Sequence, residues 1–142
     1  QHLTVGFDGH KSGIVYDLRQ GRLVSRTPQI STVLKPGGAR LYAVLEKPLE
    51  LEALPLGLTA SPGNDILIPL RLANSAFPQT VRYTVTDSTG RLRPEYSGVL
   101  SARSGEAAIR FTLATNDSVG TWRIEVTHLL TGAAETGRLT VR

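Results

Sequence analysis

The chain has 142 residues, 40% apolar and 20% charged side chains, a formal net charge of +4, and neither Cys nor Met. That length suits one ordinary domain or two small ones, and the composition argues against disorder. Without Cys, neither a disulfide framework nor a thiolate metal site can form.

The positive charge does not read as a nucleic-acid footprint. Arg19, Arg22, Arg40, Arg71, Arg82, Arg110, Arg123 and Arg138 are scattered, acids such as Glu106 and Glu125 lie between them, and no aromatic cluster accompanies them. No apolar run reaches the roughly 20 residues a membrane-spanning helix needs. The first residue is Gln1, so the expectation is a processed or excised piece of a longer chain.

In chain order, Leu3, Val5 and Phe7 alternate with other residues, and Asp8-Gly9-His10-Lys11 turns the chain. Ile14, Tyr16 and Leu18 are expected on one face of the next strand, followed by a turn at Gln20-Gly21. Short strands are expected at Leu23 and over residues 30–34, and Pro36-Gly37-Gly38 leads into Leu41, Ala43 and Leu45. The Pro- and Leu-rich stretch 48–62 reads as a connector that becomes the first strand of a second unit.

The second unit has the clearest period-two pattern, the mark of half-buried strands. Ile66, Ile68, Leu70 and Leu72 oppose Leu67, Pro69 and Arg71. Pro69 cannot donate to a ladder, which predicts an edge or a bulge there. Val81, Tyr83 and Val85 follow, then a hairpin turn at Asp87-Ser88-Thr89-Gly90. Ala107, Ile109, Phe111 and Leu113 form one inward row, Trp122, Ile124 and Val126 the next, and Leu139 and Val141 the last. Ser104-Gly105, Asn116-Asp117-Ser118 and Thr131-Gly132 separate them, and no window has a helical period.

The expected fold is all-β: an antiparallel immunoglobulin-like β-sandwich over residues 56–142, preceded by a smaller β unit over residues 1–55. A complete sandwich takes about seven strands and close to 100 residues. The first unit, with about five short strands, is small for an independent core. It either packs onto the second or is the tail of a sandwich that begins earlier, and the second option is favoured. A faint echo links Gly21-Arg22-Leu23 to Gly90-Arg91-Leu92, too weak to indicate duplication.

The second unit resembles bacterial immunoglobulin-like and macroglobulin-type sandwich modules. The resemblance rests on Ala60-Ser61-Pro62-Gly63, Tyr83-Thr84-Val85-Thr86-Asp87 with Gly90, Gly105-Glu106-Ala107, and residues 119–126 from Val119 to Val126. The thioester of true macroglobulins needs a Cys that this chain lacks. The first unit is similar to the closing β-domain of large glycoside hydrolases at residues 15–21 and 34–43. Together these resemblances imply a non-catalytic accessory region of a larger exported bacterial protein, secreted, periplasmic or at the cell surface. Its partners would be neighbouring domains of the same chain, with polysaccharide or protein as further candidates.

Catalytic chemistry is not legible. Glycoside hydrolysis needs two carboxyl groups across a sugar ring, whereas Glu46, Glu50 and Glu52 read as a solvated run. His2, His10 and His128 lack metal-ligand spacing and are expected at surface or strand-end positions. No GxSxG elbow occurs. Asn64-Asp65 and Asn116-Asp117 could offer calcium oxygens, but Asn and Asp are also ordinary turn residues, and that reading is favoured. No cofactor is expected. Trp122 shares the inward register of Ile124 and Val126 and is assigned to the core. Tyr42 and Tyr96 are the aromatics expected to be exposed, and so the candidate ligand-binding residues.

Overall fold

The computed structural model describes residues 2–9, 13–52, 54, 57–73 and 77–142. Those residues form twelve β-strands and one 3-10 turn, and no α-helix occurs among them. The chain divides into two compact units, Gln1–Leu49 with Leu130–Gly132, and Glu50–Leu129 with Ala133–Arg142. Pro55 and Leu56, the boundary expected from sequence, lie outside the described residues, as do His10 and Lys11.

The first unit contains β1 (His2–Gly6), β2 (Ile14–Asp17), β3 (Arg22–Ser25), β4 (Gln29–Val33) and β5 (Tyr42–Leu45). β1 pairs with β4, and β2 lies between β3 and β5, all antiparallel. The burial of β2 departs from the facing expected. Val15 is fully buried alongside Tyr16 and Asp17, while Leu18 falls beyond the strand end and is 37% exposed. The simple alternation of Ile14, Tyr16 and Leu18 therefore fails: consecutive residues of β2 are buried, so side chains on both of its faces are covered. The Asp17 carboxylate accepts from the backbone N–H groups of Arg19 and Gln20, which fixes the turn into β3. The Tyr16 hydroxyl accepts from the backbone N–H of Leu49 at 3.3 Å, satisfying a buried donor.

The second unit contains β6 (Leu58–Ala60), β7 (Asp65–Arg71), β8 (Gln79–Thr86), β9 (Gly98–Ala102), β10 (Glu106–Thr112), β11 (Gly120–His128) and β12 (Ala134–Val141). One sheet pairs β7 with β10; the other runs β6-β12-β11-β8-β9. All pairings are antiparallel except β6 with β12. Inward rows from both sheets merge in one core: Ile66, Ile68, Leu70 and Ile109 from one, Val81, Val85, Trp122, Ile124, Val126 and Leu139 from the other. Each such side chain contributes about 1.5–3 kcal/mol on burial, so this layer dominates the stability of the unit. The architecture is an immunoglobulin-like β-sandwich, as the alternation predicts.

Turn chemistry agrees as well. Gly90 has φ +84°, and the Asp87 carboxylate accepts from the N–H groups of Thr89 and Arg91 and from the Thr89 hydroxyl. Pro69 stands opposite Ala108 in the two-stranded sheet, so its missing N–H faces an edge.

Candidate functional site

The densest polar cluster lies at one end of the second unit and is built by two loops. After the Asp87 turn, the backbone N–H of Arg93 donates to the Val85 carbonyl, holding Arg93 against the end of β8. Pro94, with its fixed φ, then starts the single 3-10 turn Pro94–Tyr96. The Ser97 hydroxyl donates to the Arg93 carbonyl and accepts from the Val85 N–H. On the other side, Asp117 follows β10 in a tight turn closed by its own N–H to the Ala114 carbonyl.

These loops bring Arg93 into a ring of acids. Arg93 Nη2 donates to Asp117 Oδ1 at 2.6 Å and Nε to Glu95 Oε1 at 2.7 Å, and Nη1 stands 3.6 Å from Asp87 Oδ2. The guanidinium carbon lies 5.2 Å from both the Tyr96 and Trp122 ring centroids, a cation–π arrangement. Asp117 Oδ2 accepts from the Tyr96 hydroxyl at 2.6 Å and from the Ala114 N–H at 2.8 Å. Trp122 Nε1 donates to the Ser118 carbonyl at 2.9 Å.

The electrostatics follow from these contacts. Burial alone would raise the pKa of Asp117, but the donors Tyr96, Arg93 and Ala114 outweigh it and hold the carboxyl below its ordinary value. Burial, seconded by the Asp117 charge, raises the Tyr96 phenol. Hydrogen bonds to Glu95 and Asp117 outweigh desolvation and push Arg93 further toward permanent charge. Among the described residues no buried side-chain nitrogen or oxygen lacks a partner. This constellation is a clasp whose buried polar atoms are satisfied by one another.

Tyr96 is thus not the exposed aromatic expected from sequence. It is 8% exposed, stacked on Phe111 at 5.0 Å between centroids and inclined to Trp122 at 6.0 Å. The 3-10 turn points its ring inward, and its hydroxyl reaches Asp117. Tyr42 is half-buried in the first unit, edge-on to Phe7 and donating to Thr32 Oγ1 at 3.1 Å. Trp122 is fully buried, in agreement with its register.

His128 ends β11, and a strand end is one of the two positions expected for the histidines; it is 1% exposed. The Gln79 amide nitrogen donates to the Ala73 carbonyl, so the Gln79 oxygen accepts from His128 Nε2 at 3.0 Å. Burial lowers the His128 pKa and favours the neutral ring. His2 is exposed, and His10 is outside the described residues.

Asn64, Asp65 and Asp117, the side chains weighed for calcium, each accept hydrogen bonds from the protein. Asn64 accepts from the Ser61 N–H and Asp65 from the Thr112 hydroxyl, while Asp117 is committed to the clasp. A groove of about 390 Å³ runs between Leu58–Ala60 and Asn64–Leu67 over Leu139. Asp65 is its single carboxylate, so the pair that glycoside hydrolysis requires is not assembled there.

Sequence reading missed Arg93. Its signal was slight: an arginine immediately before Pro94-Glu95-Tyr96, outside any alternating run.

No family model and no curated protein matches the sequence. Among solved structures, a stretch of native E. coli alpha-2-macroglobulin is similar over 99% of this chain and 11% of that chain, with 14% identity and a TM-score of 0.51. Dpr1 IG1, in a crystal structure bound to DIP-eta IG1, is similar over 67% of this chain and 96% of its own, at 11% identity and a TM-score of 0.44. A chimeric titin Z1Z2 tandem covers 100% of this chain and 90% of its own, at 13% identity and a TM-score of 0.43. None of these three supports the glycoside-hydrolase likeness of the first unit. At 14% identity, the alpha-2-macroglobulin likeness bears on the fold alone.

Proposed function

We propose that this chain is a non-catalytic accessory region of a larger exported bacterial protein, one that acts on carbohydrate. It would comprise the tail of one sandwich over residues 1–55 and an immunoglobulin-like module over residues 56–142. The observation that carries this reading is the fate of the buried polar groups. Asp87, Asp117, Tyr96 and Arg93 meet at the mouth of the sandwich, where loops of such folds present functional residues, yet they are spent on one another. The carbohydrate-active parent rests on the likeness of residues 15–21 and 34–43 to closing β-domains of glycoside hydrolases. A fold alone does not assign that role.

The test combines reducing-end release from a panel of polysaccharides with electrophoresis through gels containing neutral glycans. The expected result is no turnover and no retardation. Turnover abolished by replacing a carboxylate would overturn the non-catalytic reading. Retardation by one neutral glycan, lost in Tyr42→Ala, would establish the rival reading, a carbohydrate-recognition module.

A further inference from the structure

We propose that the outward face of the five-stranded sheet binds an acidic polysaccharide, one bearing carboxylate or sulfate groups along its length. This goes beyond the accessory role, which holds whether or not the face carries a ligand.

The face is set by register. Arg123 on β11 stands directly opposite Arg138 on β12, and Arg82 on β8 stands opposite Thr127. All three arginines are exposed. Like charges directly opposite each other on a sheet are unfavourable, and a bridging anion removes that cost. Glu125 is the one carboxylate that register places on this face among the described residues, and it is taken by Arg123 at 2.6 Å. Arg82 and Arg138 have no ion-pair partner among the described residues. Arg82 lies four residues along the strand direction from the Arg123 row, about 13 Å at the usual rise. The cations are therefore spaced along the sheet, as a charged polymer would meet them.

The opposite sheet makes a contrast. There Glu106 faces Arg71 across the ladder, and Asp65 accepts from Thr112. Charge is balanced on that side and unbalanced on this one.

The remaining side chains select the polymer. Thr121 and Thr136 are exposed hydroxyls beside the arginines, while Val99, 60% exposed, and Leu92, 50% exposed and opposite Thr86, are large apolar side chains along one edge of the face. Protein interfaces have an apolar or aromatic core inside a polar rim, and single-stranded nucleic acid needs aromatic platforms. Here the two exposed apolar side chains stand at one edge, opposite Thr86 and Arg82 of β8, the arginines occupy the middle, and no aromatic falls in the outward rows of the described residues. Guanidinium groups with flanking hydroxyls match carboxylates or sulfates and sugar hydroxyls without such a core.

The experiment is native electrophoresis of the whole chain through gels containing polygalacturonate, dextran sulfate, unmodified dextran or poly-glutamate. The double variant Arg82→Gln/Arg138→Gln is compared with Arg71→Gln/Arg110→Gln, which removes equal charge from the opposite sheet. Thermal unfolding of each verifies that it folds. The expected result is retardation by both acidic polysaccharides and none by dextran. Binding should be about tenfold weaker in the first double variant, unchanged in the second, and steeply reduced by salt. Equal losses in both double variants would reduce the effect to net charge and overturn the proposal. So would the absence of retardation at low ionic strength. Tighter binding to poly-glutamate than to either polysaccharide would replace the ligand with an acidic protein. Turnover is not read in these gels and only the dextran gel reports neutral-glycan binding, so this inference and the accessory reading fail separately.

Discussion

Arg93 Nη2 lies 2.6 Å from Asp117 Oδ1, joining two loops 24 residues apart, with the Arg93 side chain 18% exposed and that of Asp117 2% exposed. A pair so enclosed is costly to break from one side, because the survivor is left charged and unpaired. Arg93→Ala and Asp117→Ala are each expected to lose about 3–5 kcal/mol. The double variant Arg93→Met/Asp117→Leu should lose far less than the sum, since apolar side chains need no partner. Urea unfolding of the four proteins checks this, and additive losses would show that the two residues act independently.

Most of the strand plan was legible because burial on one face leaves a period of two in the sequence. Ile66, Ile68 and Leu70, and likewise Trp122, Ile124 and Val126, are buried as that period requires. The period fails where both faces of a strand are covered, as at Val15 and Tyr16. The clasp was illegible for another reason. Arg93 and Asp117 lie in irregular loops, and their meeting depends on how β8 and β11 register, which no local pattern encodes. Tyr96 was misplaced because Pro and Glu before it suggest a solvated loop, whereas the 3-10 turn carries the ring into the core.

Stability should fall in two steps on acidification. The folded pKa of His128 is below its ordinary value, so its contribution is complete above the unfolded pKa of about 6.5. It is lost as pH falls from there through the folded value, because the unfolded chain takes up the proton first. Asp117 is also lowered, and its contribution is lost at more acid pH, from about 4 downward. Chemical denaturation at a series of pH values should show the upper step vanish in His128→Gln and the lower step shrink in Asp117→Asn. An upper step that survives in His128→Gln would assign it to another group.

Gly120 has φ +123°, and a Cβ there would sit 2.7 Å from Ser88 Cβ. Two obstacles coincide: a backbone conformation that L side chains rarely adopt, and a neighbour that is itself anchored by Ser88 Oγ donating to the Val119 carbonyl. Gly120→Ala should therefore cost about 1–3 kcal/mol. In a Ser88→Gly background the steric part is relieved while the backbone part remains, so the loss should be smaller but not zero. Thermal melts of the four combinations separate the two contributions.

Trp122 is the only tryptophan, so intrinsic emission at indole wavelengths reports on one position. The ring is fully buried, covered on one side by the Arg93 guanidinium at 5.2 Å and approached by Tyr96 at 6.0 Å. Its emission should be blue-shifted and resist acrylamide quenching. Trp122→Ala removes a large core side chain and is expected to cost about 3–5 kcal/mol, in part because Arg93 loses a stacking surface. Trp122→Phe retains an aromatic face but leaves the Ser118 carbonyl without its donor, so its loss should be intermediate. Coupling should appear as well: Arg93→Met should shift the emission, because the cation leaves the ring, without opening the indole to quencher. Emission typical of a solvated indole in the unmodified chain would remove Trp122 from the core and the clasp with it.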